Sequence, residues 1–144
     1  MKKFSFSMQK ILDVREFTKK QAEAELGKAV AAERKIQDTL DLIAQQKASL
    51  IAEADNMHDL QSLYDVNQYF KLLDQRRDNL LPELAKAKVV SEEKRDVMRE
   101  AMKKVKVLEN LKDSRYKAWK KEALKEDETV IDDIVTSRFG GSYV

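Results

Sequence analysis

Catalytic chemistry has little to work with in this chain. His58 is the single histidine and there is no cysteine. A lone histidine cannot build a histidine-based metal cluster within one chain. It also sits among Asn56, Asp59, Ser62 and Asp65, residues that suit a turn, where an exposed histidine is expected. Asp132-Asp133 and Glu92-Glu93 would be general acid–base pairs if their carboxyls converged on one bond. Sequence neighbours point to different sides of a helix, so both pairs read as surface charge. Gly27, Gly140 and Gly141 form no phosphate-cradling loop. Without cysteine there is no disulfide framework and no thiolate metal site, which fits a reducing cytosol. The expectation is a protein that is not an enzyme and takes no cofactor, metal or small-molecule ligand.

Charge and aromatic groups offer binding chemistry instead. Residues 86–125 carry 14 Lys/Arg against 7 Asp/Glu, and residues 126–133 then carry five acids and no base. Two readings of the basic stretch stand side by side. One is the solvated exterior of a coiled coil, the other attraction to an acidic partner or anionic lipid. Nucleic acid is not expected, because no recognition motif accompanies the charge and the net charge is only +2. Tyr64, Tyr69 and Phe70 form one aromatic group, and Phe4, Phe6, Phe139 and Tyr143 another. Large aromatics serve either as interface anchors or as caps on the ends of a helical seam.

The elements that position these groups are helical. The chain has 144 residues, 38% of them charged, with 3 Gly and 1 Pro. That length allows a single domain. Such sparse punctuation in an Ala-, Glu-, Lys- and Leu-rich sequence is the composition of long helices. No apolar run approaches the roughly 20 residues of a membrane span. The opening Met1-Lys2-Lys3-Phe4-Ser5-Phe6 lacks the apolar stretch of a signal peptide.

A first helix is expected over about 4–57. Ala22, Leu26, Ala29, Glu33, Ile36, Leu40, Ile43, Lys47, Leu50, Ala54 and Met57 alternate three- and four-residue steps. Nine of these eleven are apolar, a coiled-coil seam with two polar interruptions. Upstream, Met8, Ile11, Leu12 and Val14 continue it less regularly. Gly27 reads either as a propensity cost of about 1 kcal/mol or as a close backbone approach. A short helical insert is expected over about 58–81, with Val66, Tyr69, Leu73, Arg76 and Leu80 on one face. Pro82 then opens a second long helix, about 82–138. Its seam is Leu84, Ala87, Ser91, Lys94, Met98, Ala101, Val105 and Leu108, drifting later through Leu111, Tyr116, Trp119 and Ala123. Gly140-Gly141 closes it before a loose tail, 139–144. Two matched segments with a break between them predict an all-α, antiparallel two-helix coiled-coil hairpin about 75 Å long.

The opening Phe4-Ser-Phe-Ser-Met-Gln-Lys-Ile-Leu-Asp-Val-Arg15 resembles the N-terminal pattern of the flagellar FliJ family. Leu108-Glu-Asn-Leu-Lys112, Trp119-Lys-Lys-Glu122 and Ile131-Asp-Asp-Ile-Val135 with Arg138 are similar to its C-terminal helix. Asp132-Asp133 stands where many members have Asp-Glu. The resemblance implies a non-enzymatic part of the flagellar type III protein export apparatus. It further implies a stalk-like coiled coil coupling the hexameric export ATPase to the cytoplasmic domain of the membrane export gate, and helping export chaperones. The implied location is the cytoplasm, peripheral to the inner membrane at the flagellar basal body, with membrane association only through partners. Alternatives are the equivalent stalk of a virulence type III system, or a generic coiled-coil scaffold or holdase. A scaffold should self-associate along its seam.

Two sites follow from the resemblance. The end that carries both termini is implied to enter the ATPase ring. Its candidates are Phe4, Phe6, Ile11, Leu12, Ile131, Ile134 and Phe139, expected to lie together. Lys103, Lys104, Lys106, Lys120 and Lys121 are expected to face acidic ring loops. Gate binding is implied for Tyr69, Leu73, Arg76 and Leu80, of which Arg76 and Leu80 depart from the family pattern. Ile43, Gln46 and Leu50 occupy the corresponding stretch of the first helix. The rival reading buries Tyr69, Leu73 and Leu80 against that helix.

Overall fold

The computed structural model describes residues 2–140, with side chains for residues 2–138. They form two α-helices and, among the described residues, no strand: α1, Gln9–Ala54, and α2, Leu60–Gly140. The helices pack against each other as the expected all-α hairpin. Their contacts gather into two units, Lys20–Arg99 and Met1–Lys19 with Glu100–Val144.

Within Lys20–Arg99 the chain reverses over residues 55–59. The Asn56 and Met57 amides donate to the carbonyls of Glu53 and Ala54, both at 3.1 Å, closing the last turn of α1. Asp59 caps α2: its carboxylate accepts from the Gln61 amide at 3.3 Å and the Ser62 hydroxyl at 3.1 Å. The first of these bonds satisfies a backbone amide that a helix start leaves without an intrahelical partner.

All eleven positions of the first seam, from Ala22 to Met57, are buried or half-buried. Its two polar interruptions both find partners on α2. The Ser91 hydroxyl donates to the Glu33 carboxylate at 2.8 Å, and Ser91 is almost fully buried. Lys47 donates to Asp74 in an ion pair and lies 4.7 Å over the ring of Phe70. As α1 advances from Glu33 to Lys47, its partner on α2 retreats from Ser91 to Asp74, so the helices run antiparallel. Polar groups paired across the two helices at the edge of the core favour this register over its slips.

The hydrogen bond from Lys47 holds the Asp74 carboxyl below the usual carboxylate range. Partial burial opposes this, while the charges of Lys47 and Arg77 reinforce it. A depressed folded-state pKa adds stability that is complete above the ordinary carboxylate range and is lost as pH falls through the folded value. Asp74→Asn should therefore flatten the acid limb of a melting-temperature profile. An acid limb identical in wild type and variant would remove the ion pair from the fold's stabilisation.

The expected insert and the expected boundary at Pro82 are corrected. α2 starts at Leu60 and passes through Pro82 without a break. The inward residues are Val66, Phe70, Leu73, Arg77, Leu80, Leu84, Ala87, Ser91, Lys94 and Met98, an unbroken alternation of four- and three-residue steps. Pro82 falls on the outward side of that frame and is exposed. The sequence reading puts Tyr69 and Arg76 on one face with Val66, Leu73 and Leu80; the structure separates them, leaving Tyr69 and Arg76 exposed while Phe70 and Arg77 join the other three on the inward side. A one-residue error in frame rotates a helical position by about 100°. Gly27 is exposed and a Cβ there would meet nothing within 4 Å, so no close approach within the chain explains it.

In the other unit, Phe6, Leu12, Val105 and Leu108 form a buried cluster against which Phe4, Met8 and Leu111 pack. The α1 frame here is Leu12, Arg15 and Lys19, all buried or half-buried, while Ile11 and Val14 are exposed. The end of α2 at Gly140 takes in the first two residues of the expected tail, and residues 141–144 lie outside the described residues.

Candidate docking surfaces

The gate candidates fall in Lys20–Arg99 and divide by exposure. Leu73 has no exposed surface and Ile43 is buried. Gln46, Leu50 and Leu80 are half-buried. These side chains hold the hairpin closed. Tyr69 is 41% exposed and Arg76 is exposed. Between them Leu72, 42% exposed, joins a stripe at i, i+3 and i+7. Sequence reasoning missed Leu72. The signal was present in the Leu72-Leu73 pair: only one of two adjacent residues can face the seam, and the Leu73–Leu80–Leu84 spacing assigns Leu73. Tyr64 is also exposed beside the reversal, whereas Phe70 is half-buried beneath Lys47.

The termini-bearing unit holds the second surface. Residues 2–8 precede α1 and are fixed along α2 by side chains. Trp119 donates its indole N–H to the Lys2 carbonyl at 3.2 Å. Arg115 donates to the Ser7 hydroxyl at 2.9 Å, and Lys112 to the Gln9 amide oxygen at 2.7 Å. Phe4 meets Tyr116 edge-on at 5.2 Å and Trp119 at 5.7 Å, with Tyr116 stacked on Trp119. Pairs in these arrangements stabilise by about 0.5–1.5 kcal/mol beyond area burial. Tyr116 and Trp119, read from sequence as a drifting frame, are the platform that seats Phe4.

The termini candidates are brought together only in part. Phe4, Phe6 and Leu12 share the cluster, and Ile11 is exposed at 46%. Ile131 and Ile134 do not join it. Gln9 at the start of α1 already bonds to Lys112, so α1 has no residue left to cover the last part of α2. Ala123 is the last buried one among the described side chains of α2, and every described side chain after it is exposed. Leu124, Val130, Ile131, Ile134 and Val135 are between 46% and 59% exposed there, interspersed with Glu126, Asp127, Glu128, Asp132 and Asp133. The Phe139 side chain lies outside the described residues. Lys103, Lys104, Lys106, Lys120 and Lys121 are exposed on α2, with Lys103 in an exposed pair to Glu100 at 3.3 Å.

Neither surface converges on a reacting group. Among the described residues no cluster of three His, Asp or Glu could hold a metal ion, and His58 is exposed in the reversal. No helix of the described residues is long and apolar enough to cross a membrane.

A family model described as "Flagellar FliJ protein" matches residues 4–142. The chain belongs to the FliJ family. No curated protein and no solved structure matches it significantly. Membership makes this FliJ-family chain a component of the flagellar type III export system, in a family that serves flagellum biogenesis as a non-catalytic part. The match spans both surfaces, the exposed Tyr69–Leu72–Arg76 stripe and the uncovered end of α2.

Proposed function

We propose that this FliJ-family chain is the stalk-like coiled coil that couples the hexameric export ATPase to the cytoplasmic domain of the membrane export gate, and that it assists export chaperones. It would work in the cytoplasm, held at the inner membrane of the flagellar basal body through these partners. The observation that carries the reading is the end of α2: past Ala123 an acid-flanked helix with exposed apolar side chains has no partner among the described residues. Monomeric proteins rarely leave contiguous apolar surface uncovered unless it binds something. That helix and the neighbouring Phe4–Tyr116–Trp119 platform are assigned to the ATPase ring, with Lys103, Lys104, Lys120 and Lys121 facing acidic ring loops.

Gate docking is assigned to the exposed stripe of Tyr69, Leu72 and Arg76. Leu73, Ile43 and Leu80 support it from the seam and touch no partner. A helix that presents an aromatic and a leucine one turn apart can seat both in an apolar groove. Tyr69→Ala combined with Leu72→Ala should weaken binding to the gate's cytoplasmic domain at least about tenfold, by loss of two apolar anchors, with the melting curve nearly unchanged. Titration by calorimetry measures this. Full gate affinity in the double variant would move the gate contact elsewhere.

A further inference from the structure

The uncovered end of α2 and a furrow in the same unit are complementary. On the helix, Leu124, Ile131 and Val135 fall at i, i+7 and i+11 and share a face, with Ile134 beside them. Glu128 and Asp132, four residues apart, follow the edge of that face. Among the described residues neither acid is in an ion pair. The furrow between α1 and α2 has a floor of Met8, Ile11, Val107 and Leu108, rimmed by Arg15, Lys103 and Lys104. Ile11 and Val107 are 46% and 66% exposed, so their part of the floor is uncovered, above the buried Leu108.

An apolar floor with a cationic rim suits an amphipathic helix with an acidic edge. The end of α2 cannot reach the furrow of its own chain. Lys104 and Ile131 lie on one continuous helix, separated by roughly 40 Å at 1.5 Å per residue. We propose that a second copy of this chain fills it. The end of α2 of each copy lies in the furrow of the other, in an antiparallel two-fold pair that closes at the dimer. The dimer stands on this unit's own chemistry. Its consequence rests on the function proposed above: a docked end is withheld from the ATPase ring, so dimer and ring compete for Ile131 and Ile134.

Sedimentation velocity on the full chain, without ATPase, tests the pairing. The mass should rise with concentration from 16.7 kDa towards twice that value, more readily at low salt. Lys103→Glu with Lys104→Glu should weaken the dimer about tenfold or more, and Glu128→Lys with Asp132→Lys should do the same. An equimolar mixture of the two charge-reversed chains should associate again, because each end then meets a furrow of opposite sign. All four positions are exposed, so far-UV melting curves should stay superimposable and exclude misfolding as the cause. A wild-type chain that keeps the monomer mass at every concentration would overturn the proposal. So would a dimer indifferent to both reversals, or a mixture that stays monomeric. None of these results bears on whether the chain binds the ATPase ring, which is measured separately.

Discussion

Replacing Leu73 by alanine should lower stability by about 2–5 kcal/mol, because the side chain has no exposed surface and the cavity left behind cannot be filled by water at no cost. The adjacent Leu72→Ala, at a position 42% exposed, should change stability by no more than about 0.5 kcal/mol. Two chemically identical substitutions one residue apart thus read out the frame of α2 directly. Urea melts of both variants measure it. Equal losses, or a larger loss at Leu72, would mean that α2 is rotated and that Tyr69 and Arg76 face inward after all.

Pro82→Ala should raise stability by up to about 3 kcal/mol. The proline lies inside α2, on the exposed side, with Leu80 and Leu84 on the inward frame around it. It has no amide hydrogen to give the carbonyl of Asp78, and its ring crowds that carbonyl. Alanine restores the bond and removes the crowding without touching the seam. Amide exchange around residues 79–86 should slow and the urea midpoint should rise. A variant that loses stability would show instead that the proline's local distortion is needed for packing in Lys20–Arg99.

The seam was the most legible part of the sequence, because burial of apolar side chains at alternating three- and four-residue steps dominates two-helix packing. Every position named from Ala22 to Met57 and from Leu84 to Leu108 turns inward. The frame failed where local signals competed with it. Pro82 reads as a helix start by itself, yet the inward series passes it without a break. Tyr69 and Phe70 are adjacent aromatics, and choosing between them needs the frame carried back from Leu84. The partners of Glu33 and Lys47 were hidden, since a polar seam residue announces that it needs a partner but not which residue across the hairpin supplies it. The separation of Ile131 and Ile134 from the Phe4–Phe6 cluster was hidden for another reason. It depends on where α1 starts relative to α2, a register that the Lys112–Gln9 and Trp119–Lys2 bonds fix. The generic-scaffold alternative loses its main support in the same register, because the seam on which such copies would associate is occupied by the chain's own second helix.

The most direct measurement is the rate of ATP hydrolysis by the hexameric export ATPase of the same organism, with nucleotide, as this chain is added. Ring assembly and hydrolysis should change on addition, and the effect should weaken at high salt as the lysines of α2 are screened. Ile131→Asp with Ile134→Asp should abolish the effect while the variant's melting curve matches wild type, since both residues are exposed beyond the packed part of the hairpin. An ATPase whose assembly and hydrolysis rate are the same with and without the chain would contradict the account.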